Sequence, residues 1–389
     1  MALRGNQNMN EIISKELCTG CNACSSICPR NAIIMREDYQ GFKYPVINNS
    51  LCVNCGLCKK YCPVNCFDES TSNVSSEIST HAYRSNGDRR LDCSSGGVFF
   101  DLAYNWIEYE KGIVIGAAFN DYFMLEHRVA SKLDEIEPLI GSKYLQSDLN
   151  NVFKTIKEYL DSGVKVLFFG LTCQVEGILS YTNCNKDLFC VDLICMGVPS
   201  PKVWKYYLMT FFDVENIKRI NYKDKELGWH RFSFRVERKD GTVFTQPGVD
   251  NYFMQCMFKG YSLRASCFNC KYKCQNKKSD LTIADCWGSE HFANEMDDNK
   301  GLSMIISHSD KGEYLVESLK KYGLMKRFNY ENVLEYNSNY AKCVSEPRFR
   351  KIFYKTVFKF PSIAFPFFGK QKASFLSRIK NKIKRCLRS

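Results

Sequence analysis

Residues 18–29 read CTGCNACSSICP, and residues 52–63 read CVNCGLCKKYCP. Both spell C-x2-C-x2-C-x3-C-P, and all eight cysteines and both prolines recur at a constant offset of 34. Thiolates spaced this closely can face one inorganic centre, and the closing proline fixes the chain direction as it leaves. The 389 residues include 21 cysteines. A disulfide framework suits short secreted chains, whereas residues 1–17 hold no apolar h-region of a secretory signal. Zinc sites take four ligands in two pairs, which is not this four-plus-four rhythm.

The repeat resembles the bacterial two-cluster ferredoxin over about the first 65 residues. The resemblance implies two 4Fe–4S clusters with crossed ligation. Cys18, Cys21 and Cys24 would share one with Cys62, and Cys52, Cys55 and Cys58 would share the other with Cys28. Three close thiolates wrap three corners of one cubane; the fourth, followed by Pro29 or Pro63, turns away to the other. The small residues Gly20, Ala23 and Gly56 let backbone N–H groups approach the sulfurs. Between the motifs, residues 32–47 (AIIMREDYQGFKYPVI) read as a hairpin turning at Gly41. Cys66 fits no ligand slot. A two-cluster module only carries electrons, so something must sit at its far end.

Residues 68–81 are polar and Ser/Thr-rich and read as a linker. After it, helical and strand patterns alternate. Residues 96–111 have helical spacing at Phe99, Leu102, Ala103, Trp106 and Ile107; 112–119 are a short apolar strand; 148–163 are an amphipathic helix ending at Gly163. Residues 164–170 and 188–195 read as buried strands, with a helix starting at 173 between them. That order argues an α/β core with a mainly parallel sheet. Beyond 217 strands dominate (217–224, a hairpin over 231–246, and 281–288), an α+β pattern.

From about residue 90 to 310 the chain resembles the beta subunit of coenzyme F420 hydrogenases and dehydrogenases. The pieces are SSGGV (94–98), GSKYLQS (141–147), FGLTCQVEGIL (169–179), VDLICMGVPSP (191–201), KDKELGW (223–229), and RASCFNCKYKC (264–274) with SDLTIADCWG (279–288). The resemblance implies a flavin, FAD, beside iron–sulfur chemistry, and a setting among polysaccharide-biosynthesis enzymes such as pyruvyl transferases. In that frame Ser94, Ser95, Gly96 and Gly97 open a helix toward an anion. Gly141, Ser142, Lys143, Tyr144 and Gln146 offer a loop with a cation, a ring and an amide, and Gln174 sits at a strand's carboxyl end, where α/β sheets bind ligands. A plain N-cap and a solvated loop are the alternatives.

The resemblance also implies a third 4Fe–4S cluster on Cys173, Cys195, Cys267 and Cys270, with Cys274 the rival for one position and zinc the rival metal. Cys286 and Cys190 read as packing cysteines, and Cys93 as buried beside the SSGG loop. The five histidines form no hydrolytic pattern; Trp229 and His230 read as a structural loop.

Lys and Arg number 54 against 42 acids, but eight of the 54 fall in the last 20 residues, which hold no acid. The body is near neutral, so no nucleic-acid-binding stripe is expected. The tail places Leu376, Ile379, Ile383 and Leu387 on one helical face among Lys380, Lys382, Lys384, Arg385 and Arg388, after an aromatic stretch at 358–369. It reads as a basic amphipathic helix for an anionic membrane surface, or as a disordered or partner-docking tail. Mean hydropathy is −0.31 and no apolar run approaches bilayer length.

The expected organisation is therefore a two-cluster ferredoxin domain (1–67), a linker (68–81), a flavin and Fe–S α/β and α+β domain (82–345), and a basic tail (346–389). The expected location is cytoplasmic, at the inner membrane's face if the tail binds lipid. The expected activity is a flavin-dependent iron–sulfur oxidoreductase with a redox partner protein. The alternative is a non-catalytic electron-transfer subunit.

Overall fold

The sequence repeat is also a backbone repeat. Helix α1 (Ala23–Ser26), strands β1 (Ile33–Glu37) and β2 (Lys43–Ile47), and helix α2 (Leu57–Lys60) build the N-terminal unit, and α1 and α2 lie 34 residues apart like the cysteines. Positive φ recurs at the same offset: Gly20 (72°) with Asn54 (53°), and Asn22 (66°) with Gly56 (75°). Glycine and asparagine adopt this left-handed conformation most cheaply. The residues between the cysteines are therefore chosen for backbone shape. β1 and β2 pair antiparallel with Ile33 opposite Ile47, the hairpin the alternation predicts. The computed structural model describes residues 11–67, 78–274 and 277–370.

The chain then enters the main body as β3 (Ser79–Ser85), which begins inside the stretch read as a linker. It continues through α3 (Val98–Glu108), β4 (Ile113–Phe119), β5 (Leu125–Ala130), α4 (Val152–Asp161), β6 (Val166–Leu171), α5 (Thr172–Tyr181), β7 (Leu188–Leu193) and α6 (Pro201–Phe211). An excursion follows into a three-stranded antiparallel sheet of β8 (Ile217–Asp224), β9 (Ser233–Arg238) and β10 (Val243–Pro247), then α7 (Tyr252–Phe258). The return comprises β11 (Leu281–Asp285), α8 (Ser289–Phe292), β12 (Ser303–Ser307), α9 (Asp310–Leu319) and β13 (Gly323–Arg327). Helices α10 (Tyr330–Tyr336), α11 (Ser338–Ala341), α12 (Arg350–Val357) and α13 (Pro361–Gly369) end it.

The eight-stranded sheet has the order β13-β3-β12-β11-β7-β6-β4-β5. Its centre, β11-β7-β6-β4, is parallel. Both flanks are antiparallel, so the sheet is mixed and not mainly parallel. Its β4, β6 and β7 come from a local alternation of strands and helices that periodicity reveals. β12 joins it beside β11, its neighbour in sequence, whereas β3 pairs with β12 and β13 across more than 200 residues, which no local pattern records. For the same reason β11 joins this sheet and not the strands of the excursion.

Trp106, Leu315 and Leu319 fill one face of the sheet beneath α3 and α9. Phe153, Ile156, Val175 and Ile178 fill the other beneath α4 and α5. A separate aromatic core around Trp204, Phe234 and Phe253 joins α6 and α7 to the smaller sheet. That core also takes in Phe353, Tyr354, Val357, Phe365 and Phe368. The tail read from residue 346 is thus corrected as far as Lys370: α12 and α13 are part of the body. Fully burying each such side chain is worth about 1.5–3 kcal/mol. The basic amphipathic stretch at 371–389 lies outside the described residues.

Candidate functional site

Cys18, Cys21, Cys24 and Cys62 line one cavity together with Thr19, Gly20 and Pro63. The electrostatic neighbours of Cys58 are Cys52, Cys55 and Cys28. The fourth cysteine of each repeat therefore stands with the first three of the other. The quartets differ in depth: Cys18, Cys21 and Cys62 are buried, whereas Cys55 is exposed and Cys28, Cys52 and Cys58 are half-buried. One site is inner and one is outer. Burial pushes the Cys21 thiol up to about 12 and raises Cys24 and Cys62. Such thiols ionise against a strong positive centre, as iron provides, and loading must release protons. The Ala32 N–H donates to Cys28 Sγ at 3.3 Å, a backbone contact of the kind that tunes a cluster.

Cys173, Cys195, Cys267 and Cys270 line a second cleft, partly open to solvent. Cys173 is the second residue of α5, Cys195 lies just past β7, and Cys267 and Cys270 sit in and after a 3-10 turn at Ala265–Asn269. The cleft is thus at the carboxyl ends of β6 and β7. Burial pushes Cys195 up to about 11 and Cys267 to about 12, and Cys173 well above the usual thiol range. The Val198 N–H donates to Cys267 Sγ at 3.4 Å. Gly197, at φ 139°, is where Cys267 comes close: a Cβ there would stand 3.0 Å from the Cys267 Cβ. Cys274 does not line this cleft; its N–H donates to Tyr340 O at 2.8 Å, and it packs with the apolar cluster around Trp229. Cys343, unremarked in the sequence, brings its Sγ to 3.5 Å from Cys270 O. Among the described residues, no three of His, Cys, Asp and Glu are set to hold a single metal ion.

The three quartets are neighbours. One apolar cluster built on Val64 and Tyr272 takes in Cys24 and Cys62, Cys28 and Cys58, and Cys173 and Cys270. Thr19 lines both cavities. Lys277 also lines the cleft, with its Nζ 3.1 Å from Asp192 Oδ2 in a fully buried ion pair. Asp192 and Lys277 went unread because a lone Asp or Lys carries no spacing signal.

The residues assigned to a flavin are placed otherwise than expected. Gly97, at φ 99°, is the N-cap of α3, and neither serine caps it. Ser95 Oγ donates to Leu302 O at 2.6 Å, and the Gly96 N–H donates to Ser303 Oγ at 2.8 Å. The Ser142 N–H donates to Ser94 Oγ, which draws the 94–97 and 141–142 loops together, with Gly141 beside Ser94. Lys143 Nζ donates to the carbonyls of Leu139 (3.1 Å), Ile140 (2.9 Å) and Gly141 (3.2 Å), and burial pulls its pKa down to about 7. It closes a turn. Tyr144 packs edge-on against Tyr222 and Phe258. Gln146 Nε2 donates to Thr19 O at 3.1 Å. Gln174 accepts from the Leu171 N–H at 2.9 Å and donates to Ser147 Oγ at 2.9 Å. These side chains serve loops, a helix start and the seam between units.

Of the remaining residues, Cys190 and Cys286 are fully buried, Cys93 is buried, and Cys66 is exposed with its Sγ donating to Lys60 O. Trp229 is core, stacked on Trp287 at 4.7 Å; His230 Nε2 lies 3.0 Å from Asp297 Oδ2.

A ferredoxin-like unit presenting two cysteine quartets, set on a mixed α/β body, defines an iron–sulfur electron-transfer protein of the oxidoreductase type. Comparison with known proteins agrees. Residues 17–66 match the 4Fe-4S dicluster domain model, and residues 163–332 match the model for the C terminus of the beta subunit of coenzyme F420 hydrogenase/dehydrogenase. A chain of the F420-reducing nickel–iron hydrogenase complex from Methanosarcina barkeri, solved as a xenon derivative, is similar at 18% identity and a TM-score of 0.47, over 65% of this chain and 82% of that one. No curated protein matches.

Proposed function

We propose that this chain is a redox subunit that relays electrons through three 4Fe–4S clusters, from the outer quartet to the inner and then to the third. The observation that carries this reading is the single apolar cluster holding cysteines of all three quartets. Adjacent centres in a dry environment form a path for electrons. The exposed Cys55 makes the outer quartet the side for a redox partner protein. The third site faces the carboxyl ends of the central strands, where α/β sheets receive ligands.

Anaerobic purification with iron, sulfide and flavin quantitation tests it: three clusters require about 12 Fe and 12 sulfides per chain. The same sample separates the two activities. Bound FAD, which exchanges single electrons with clusters and pairs with substrates, makes the chain a flavin-dependent oxidoreductase. Its absence makes the chain an electron-transfer subunit for a separate enzyme.

A second reading concerns location. Phe360, the N-cap of α13, and Ile363 and Phe367 within it are 59%, 67% and 76% exposed. An apolar stripe leading directly into a basic segment favours shallow seating on anionic lipid. This suits the setting the sequence resemblance implies, polysaccharide assembly at the inner membrane's cytoplasmic face beside enzymes such as a pyruvyl transferase.

A further inference from the structure

Arg264 is 0% exposed. Its Nε donates to Cys18 O at 2.7 Å, Nη1 to Gln146 Oε1 at 3.1 Å and Nη2 to Lys43 O at 2.9 Å; Nη2 also stands 3.7 Å from Cys18 Sγ. The guanidinium lies over the Tyr44 ring at 4.2 Å and the Phe42 ring at 5.4 Å. None of these partners is a carboxylate. The same side chain lines the cleft of Cys173, Cys195, Cys267 and Cys270. It therefore contacts Cys18 of the inner quartet and lines the cleft of the third, where its charge acts on Cys267.

Taking a guanidinium out of water is costly, and neutral carbonyls and a ring recover the cost only in part. A cluster bound by four thiolates is a net anion and gains one more negative charge on reduction. Two such anions flanking Arg264 supply its missing counter-charge. A fixed cation beside them stabilises the reduced form more than the oxidised form, and its hydrogen bond toward a ligand sulfur acts in the same direction.

The two repeats are not equal in this respect. A Cβ at Gly20 would stand 2.8 Å from Arg264 Nη1. The matching position of the second repeat is Asn54, where a side chain is present. The guanidinium thus stands at the inner quartet, against the first repeat and not the second.

We propose that Arg264 is a positioning residue that clamps the ferredoxin-like unit to the α/β body and raises the reduction potentials of the inner and third clusters above that of the outer one, so that electrons run inward. This rests on the three-cluster relay proposed above.

The test uses the full chain purified anaerobically as wild type, Arg264→Lys and Arg264→Gln, with iron counts and EPR-monitored redox titration. Loss of the outer signal in Cys55→Ser assigns the spectra. The inner midpoint is expected to fall from wild type to Arg264→Lys to Arg264→Gln, while the outer midpoint stays. Equal inner midpoints in all three proteins overturn the proposal, as does an outer shift as large as the inner one. Should Arg264→Gln fail to retain iron, Arg264→Lys decides, because its charge is kept but drawn back from Cys18: a lowered inner midpoint supports the proposal and an unchanged one overturns it. About 8 Fe in the wild type, with the inner shift intact, would sink the three-cluster relay and leave Arg264 acting on the inner cluster.

Discussion

Gly177 lies directly against Cys21: a Cβ on Gly177 would stand 3.0 Å from the Cys21 Cβ and 3.1 Å from its Sγ. Gly177 is one turn beyond Cys173 on α5, so a single helix face touches the inner quartet and supplies a ligand candidate of the third. Gly→Ala inside a helix ordinarily stabilises by about 1 kcal/mol. In Gly177→Ala that gain should appear only in the iron-free chain. With Cys21 held by a cluster the sulfur cannot give way, and the inner cluster should be lost or altered. Thermal midpoints of the apo chain and iron counts of the anaerobic one read the two signs separately; equal iron in variant and wild type would show that the seam is loose.

Crossed ligation gives a second test. Cys28 belongs to the first repeat by sequence and stands with Cys52, Cys55 and Cys58 in space. Cys28→Ala should therefore damage the outer cluster and spare the inner one. EPR of the reduced protein shows which signal goes, and loss confined to the inner cluster contradicts the crossing.

For the third site, Cys195→Ser and Cys274→Ser make a matched pair. Only Cys195 lines the cleft. The first substitution should lower iron from about 12 to about 8 per chain, and the second should leave it unchanged. The reverse result would put Cys274 in the ligand set.

What the sequence made legible follows from the range of each signal. The eight repeat cysteines announce themselves because their spacing is local, and β4, β6 and β7 because strand and helix patterns alternate locally there. The third quartet draws on Cys173, Cys195, Cys267 and Cys270, spread over nearly 100 residues, and only resemblance could group them. Lys143, Gln146 and Gln174 have side chains suited to a flavin, yet the first closes a turn, the second bridges to Thr19 and the third caps α5. Residue type alone does not say whether a polar group faces a ligand or its own fold. Arg264 was spelled out in a motif without a role, because its meaning depends on Cys18, 246 positions away.

His127 gives a pH prediction. Burial lowers its pKa to about 4; its Nε2 lies 3.0 Å from Phe169 O and its ring stacks on Phe168. The unfolded chain binds this proton near pH 6.5 and the folded chain only near 4, so stability is lost as pH falls through that window. Between pH 7.5 and 5.5 the loss from this group is about 1.4 kcal/mol. His127→Gln keeps a donor for Phe169 O and removes the titration. Its stability should fall less than wild type over that interval, and parallel curves would show that the imidazole is protonated in the folded state.

The face of α13 yields a test independent of the clusters. Phe360, Ile363 and Phe367 point away from the core that buries Phe365 and Phe368. Replacing Ile363 and Phe367 with Ser removes mainly exposed apolar surface, with one edge contact of Phe367 on Phe368, so the fold should be kept while shallow insertion into lipid weakens. The attraction of the basic segment adds about 1 kcal/mol per Lys or Arg near an anionic surface and is screened as the Debye length shrinks from about 10 Å at 0.1 M salt to about 3 Å at 1 M. The two contributions separate in vesicle co-sedimentation of the full chain, the double Ser variant and a chain ending at Gly369, with anionic and neutral lipid. The double variant should lose binding even at low salt, and the shortened chain should lose its preference for anionic lipid. If all three sediment alike with both lipids, neither the stripe nor the basic segment is an anchor, and the exposed face of α13 belongs to a protein partner.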